Sequence, residues 1–250
     1  MRMSETFTIP IFLLLKGENA MKKIIAALLL VGMIFSFASC VDTNNEDNST
    51  TTASSSSEET QNGGETTVMT AEEVLGSLYV PFLTNAMTAF GASTVDEVKP
   101  YFVGTEMETI TETDSETGES YSYEMPKSAP SVLSLEDVDV LTSMTYFPAE
   151  SVSKLQDAAI FYNMMNMNTG GTYSAFGFAN EADMQAAATQ MEDILKNNHW
   201  WCGFPDGYLL MSVDNVLLSV FGANDFLTAF KDAVSSTYVE SVVLFEGAIM

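Results

Sequence analysis

Beyond residue 40 the sequence has no arginine and only five lysines, Lys99, Lys127, Lys154, Lys196 and Lys231. Against them stand 32 aspartates and glutamates, so this stretch carries a formal charge of −27. Such a surface repels phosphate backbones, whose recognition needs clustered Lys and Arg, and nucleic-acid binding is excluded. Charge-driven attraction to anionic lipid headgroups is excluded for the same reason. Histidine occurs once, as His199, and cysteine twice, as Cys40 and Cys202. Those numbers cannot supply a Cys/His zinc set. No serine elbow, phosphate-binding glycine loop or dinucleotide fingerprint is present, so no cofactor is implied. No repeat with a period of roughly twenty to fifty residues recurs, which argues against a solenoid.

What is present early is an apolar run with a basic start. Lys22 and Lys23 precede uncharged apolar sequence from Ile24 to Phe37, and Ala38 and Ser39 lead into Cys40. This is the n-region, h-region and small-residue processing site of a secretory signal. A spanning helix needs about 18 to 20 apolar residues, and this run is shorter and gives way to polar sequence. Phe37-Ala38-Ser39-Cys40 resembles the lipobox of bacterial lipoproteins, although phenylalanine stands where leucine is usual. The resemblance implies that residues 21–39 are removed and that a diacylglycerol on Cys40 anchors the chain to the outer face of the cell membrane. With Cys40 so used, Cys202 has no partner for an internal disulfide, and stability must come from packing. Residues 1–20 read as translated leader, because Lys16-Gly17-Glu18 can be encoded by a ribosome-binding sequence placed just before Met21.

From Asp42 to Thr67 there is no aromatic and no large aliphatic residue. Such a segment cannot offset its ordering entropy by burial, so residues 40–67 are expected to be a disordered Ser/Thr/Asn-rich tether. A coil of that length has a root-mean-square span of about 30 Å. Residues 68–250 are expected to form one domain of ordinary size with a full core.

Within that domain Thr70 and Glu73 fit a capping box. Behind them Val74, Leu75, Leu78, Phe82, Leu83, Met87 and Phe90 recur at helical spacing, with Pro81 marking a kink or a junction of two helices. Thr109-Ile110-Thr111 and Tyr121-Ser122-Tyr123 alternate around Asp114 to Gly118 and read as a β-hairpin with a polar tip. Its acids do not fit the order of a calcium loop. Leu141 to Phe147, preceded by Val138 and Val140, suggests a strand, and Ala158 to Met165 another. Pro148 to Gln156 reads as a short helix or turn. Asn168 to Gly171 is a turn, and Tyr173 to Phe178 a hairpin partner. Asn180 caps a helix over Glu181 to Asn198. Tyr208 to Val213 and Val216 to Phe221 flank a two-residue turn at Asp214-Asn215. Asn224 is expected to cap a last helix, and Val239 to Phe245 to form a final strand. The fold class is α+β, an antiparallel sheet with helices packed on it.

The segments DAAIFYNMM, EADMQAAATQMEDILKNN, GYLLMSVDNVLLSVFG and NDFLTAFKDAV resemble a family of domains of unknown function found in lipoproteins of clostridia and related bacteria. The resemblance covers the C-terminal third and implies an extracytoplasmic α+β domain. It carries no catalytic residues, and neither the insertion around Thr105 to Ser128 nor Trp200-Trp201-Cys202 belongs to its pattern.

His199-Trp200-Trp201-Cys202-Gly203 holds the single histidine, the second cysteine and both tryptophans. Thiol catalysis would need the imidazole within hydrogen-bond reach of the sulfur and a third group to orient it, and no such third group is identifiable. The segment reads as a helix-ending loop whose aromatics cover the core, with Trp200 or Trp201 as possible ligand contacts. Met164-Met165-Asn166-Met167 invites a copper(I) reading, but methionines are spread along the chain and these read as strand core. Pairs such as Glu72 and Glu73, Asp137 and Asp139, Glu181 and Asp183, and Glu192 and Asp193 are expected by number alone in so acidic a chain. No catalytic residue and no metal ligand is assigned. The expectation is a non-enzymatic binding or interaction domain at a Gram-positive cell envelope, with an envelope protein or glycan as partner. Its rivals are a wall or glycan hydrolase using a carboxylate pair and a small solute-binding lipoprotein.

Overall fold

The computed structural model describes residues 69–249. The leader, the signal, Cys40 and the tether therefore lie outside the described residues. The fold is α+β. An antiparallel sheet runs in the order β1 (Phe102–Val103), β5 (Leu155–Asn163), β6 (Thr172–Phe178), β8 (Val216–Gly222), β7 (Gly207–Val213) and β9 (Val242–Ala248), and β4 (Ser131–Val132) also pairs with β5. A separate two-stranded sheet joins β2 (Met107–Thr113) to β3 (Ser120–Pro126).

Helices cover both faces of the larger sheet, which explains the uninterrupted apolar runs of its central strands. Every residue of β6, β7 and β8 is buried. Two cores result, divided by the alternation of side chains along each strand. One holds Phe161, Tyr173, Ala175, Leu218 and Val220 against α1 (Ala71–Phe90) and α5 (Asn224–Thr237). Phe82 of α1 is its hub, with ring contacts to Phe102, Phe161, Tyr173 and Phe230. The other holds Ile160, Phe176, Leu210, Leu217 and Phe221 against α3 (Val138–Thr145) and α4 (Glu181–Asn197). A short α2 (Val95–Val98) and two 3₁₀ turns, Lys99–Tyr101 and Ala149–Lys154, complete the described helices.

Several expectations meet their structural reason. The Thr70 and Glu73 capping box forms in both directions. Pro81 lies inside one continuous helix rather than at a junction. Asp214 takes φ 49, the left-handed conformation a tight hairpin turn requires.

Four expectations are corrected. Val138 to Thr145 is a helix, not a strand: the Asp137 side chain accepts from the Val140 N–H at its start, and Tyr146 closes it at φ 57. Met164 to Met167 leave the sheet and lie in the loop after β5, with Met165 exposed. Ala223, not Asn224, is the N-cap of α5, because the Asn224 N–H is turned to the Asp206 carboxylate at 3.0 Å. The last strand begins at Val242, since α5 continues to Thr237 and a turn follows.

Candidate functional site

Two loops meet at one end of the sheet. Residues 164–171 connect β5 to β6, and residues 198–206 connect α4 to β7. The first is self-folded by asparagines, whose side chains mimic backbone turns. Buried Asn163 turns Oδ1 to the N–H groups of Met165, at 3.0 Å, and Asn166, at 3.3 Å. Asn166 Oδ1 in turn accepts from Asn168 and Thr169, both at 3.0 Å.

The remaining donors of that loop hold the second. Asn166 Nδ2 donates to the Cys202 carbonyl at 2.9 Å. Asn168 Nδ2 donates to the carbonyls of Trp201, at 2.8 Å, and Gly203, at 3.2 Å. Three successive carbonyls are thus fixed by two side chains. The backbone pays for this with consecutive positive φ angles, 59° at Cys202 and 137° at Gly203. Glycine is required at the second position on two counts: that φ disfavours any side chain, and a Cβ would lie 2.9 Å from Asn166 Nδ2.

This clamp decides where the aromatics go. Trp200 is 7 % exposed, in ring contact with Tyr146 and Phe221, and closes the second core. It is therefore a core residue, and a ligand has no access to its face. Trp201 is 79 % exposed and Phe204 72 % exposed. Met165, on the loop that supplies the clamp, is exposed as well. An exposed indole on a fixed backbone can stack on a ring or fill an apolar pocket.

Cys202 is a free and exposed thiol, and His199 is exposed as well. Among the described residues no hydrogen bond joins the two, and it is the Cys202 carbonyl that the neighbouring loop holds. No group of His, Cys, Asp and Glu able to hold a metal ion exists among the described residues.

One member of each acidic pair has local work. Glu73 closes the capping box of α1, and Asp137 caps α3. Asp183 accepts from Asn180 at the start of α4, and that hydrogen bond, with Lys154 adding its charge, holds its carboxyl below the usual range. Glu192 accepts from Lys196 at 2.6 Å and from the Tyr208 hydroxyl at 3.1 Å, while burial foremost pushes the Tyr208 phenol up.

A cavity of about 180 Å³ lies elsewhere, lined by Thr70, Gln156, Asp157, Gly177 and Asn215 among others. It contains neither tryptophan nor a facing carboxylate pair. Asp157 Oδ2 accepts from the Ala71 N–H at 3.1 Å, which sets a negative charge at the N-terminus of α1, where the helix dipole favours it. Asp157 stands at the register shift that follows Leu155 in β5.

Sequence reasoning located the Trp200-Trp201 segment but not the roles of Asn163, Asn166 and Asn168, nor the exposure of Phe204 and Met165. Asparagine recurring at three- and two-residue intervals before a Gly-Gly turn is the signal that marks such a clamp. The chain matches no family model, no curated protein and no solved structure.

Proposed function

We propose that this chain is a lipid-anchored binding module of a Gram-positive cell envelope, held at the outer face of the membrane through a diacylglycerol on Cys40. It contacts an envelope protein or glycan through Trp201 and Phe204. The observation that carries the contact is the presentation of Trp201: 79 % exposed, on a backbone fixed by Asn166 and Asn168. A solvated indole on a fixed backbone brings a large apolar area to a partner with no loop ordering to offset. The address rests on the sequence of residues 21–40.

The non-enzymatic reading is favoured by the engagement of one member of each acidic pair, Glu73, Asp137, Asp183 and Glu192, at a helix end or a strand contact. Affinity capture from envelope extract tests it, with the wild-type chain and the Trp201→Ala variant as bait. The same envelope component should be retained by the wild type and lost by the variant. Turnover of a wall substrate, with no component retained, would replace the binding reading by the hydrolase.

A further inference from the structure

The two edges of the larger sheet are finished differently. On the β5 side the sheet ends in β1 and β4, strands of two residues each that lie in succession along β5. Edge strands this short offer too few backbone groups to template another strand. On the other side the sheet ends in β9, which is seven residues long and pairs only with β7 among the described residues. An edge strand turns alternate N–H and C=O groups away from its neighbour. Among the described residues no loop hydrogen bond ends on the backbone of Val242 to Ala248.

The side chains of β9 suit pairing more than solvent. Val242 is 53 % and Val243 38 % exposed, while Leu244, Phe245 and Ile249 already lie against the second core. Natural edges are blunted with lysine, with proline or with a bulge. β9 contains neither of those residues. Its register slips at Leu244, opposite the Leu210/Met211 step, which bends the strand. Phe245 to Ala248 then run in unbroken register against β7.

Backbone chemistry and charge together select the occupant. A row of unpaired backbone groups is met in full only by another extended chain. The one charged residue of β9 is Glu246, and Lys231 of α5 pairs with it. A basic segment therefore finds no unmatched acid on this strand, and a charge of either sign would be desolvated against Val242 and Val243. An uncharged strand with β-branched residues fits, and β9 is itself such a strand from Val242 to Phe245. Two copies related by a two-fold axis would lay β9 antiparallel on β9, meeting both rows of backbone groups and covering the valines of both copies.

We propose that β9 is the interface of a symmetric homodimer, in which the sheets of two copies join edge to edge. The proposal goes beyond the function proposed above and does not rest on it.

The test follows the mass of the full chain by sedimentation over a range of protein concentration, with a reductant present so that Cys202 cannot cross-link two copies. A reversible monomer–dimer equilibrium should appear. It should tighten as salt rises, because screening weakens the repulsion between two acidic chains while backbone pairing persists. Val242→Lys/Val243→Lys should weaken dimerisation about tenfold or more, even though it lowers the net negative charge. Val242→Thr/Val243→Thr, which keeps the β-branched shape without charge, should hold it within about threefold. Amide exchange in β9 should slow in the dimer while exchange in β1 stays as it was. A chain that remained monomeric at every concentration and salt would overturn the proposal. So would a dimer that the lysine variant formed as readily, or one that left β9 exchange unchanged, since the contact would then lie elsewhere. Protection of β9 in a monomer, gained only on adding envelope extract, would assign the edge to a strand of another protein and overturn it too.

Discussion

Asn168 holds Trp201 by its backbone: the side-chain amide donates to the Trp201 carbonyl at 2.8 Å and to the Gly203 carbonyl at 3.2 Å. Replacing Asn168 by alanine removes both bonds and leaves Asn166 as the side chain of the 164–171 loop that still holds the 198–206 loop. The expected cost in global stability is about 1 kcal/mol, because the contacts are partly solvated. The larger effect is local. Amide hydrogen exchange at residues 201–204 should speed up while β7 and β8 keep their protection.

The two adjacent tryptophans should behave as opposites. Trp200→Ala deletes a buried ring packed on Tyr146 and Phe221 and should cost about 3 to 5 kcal/mol in urea unfolding. Trp201→Ala removes a side chain that packs on no core and should change stability by about 0.5 kcal/mol or less. Parity between the two variants would contradict the placement of both residues.

Glu112 makes the β2–β3 hairpin sensitive to alkali. Its hydrogen bonds, foremost, push the Tyr123 phenol up from 10.0 to about 12, and they raise Tyr121 as well. A raised phenol favours the protonated folded state. Its contribution is complete below pH 10 and is lost as the pH rises through about 12. Absorbance of phenolate should show Tyr123 ionising late in the wild type, and Glu112→Gln should bring it back toward the ordinary tyrosine range.

Gly177 faces Asp157 across a gap with no room for a methyl group: a Cβ there would sit 2.0 Å from Asp157 Oδ1. Gly177→Ala should therefore destabilise the domain by about 1 to 3 kcal/mol. The displaced carboxylate no longer meets the start of α1, so exchange of the first-turn amides of that helix should rise. Unchanged stability and unchanged exchange would show that β5 can shift without cost.

The sequence made the helices and hairpins readable where local chemistry and burial agree. The Thr70 capping box, the Asn180 cap and the Asp214-Asn215 turn each declare themselves within four residues. Val138 to Thr145 misled because its valines and aromatic neighbours favour strand, while the outcome was settled by one capping carboxylate, Asp137, and by the docking of Leu141 into the second core. The site was half legible. Rarity singled out Trp200 and Trp201, but which ring faces solvent depends on Asn166 and Asn168, 33 to 36 residues away in sequence from the carbonyls they hold. Pairing at that range leaves no local periodicity to read.

The most direct test of the account is acrylamide quenching of tryptophan emission in the full chain, with and without purified envelope fragments. Alone, the protein should show one accessible tryptophan, Trp201, and one protected, Trp200. With fragments the accessible fraction should become protected, and Trp201→Ala should abolish that change. If the fragments bound while Trp201 stayed fully quenchable, the contact would lie elsewhere and the central claim would be wrong.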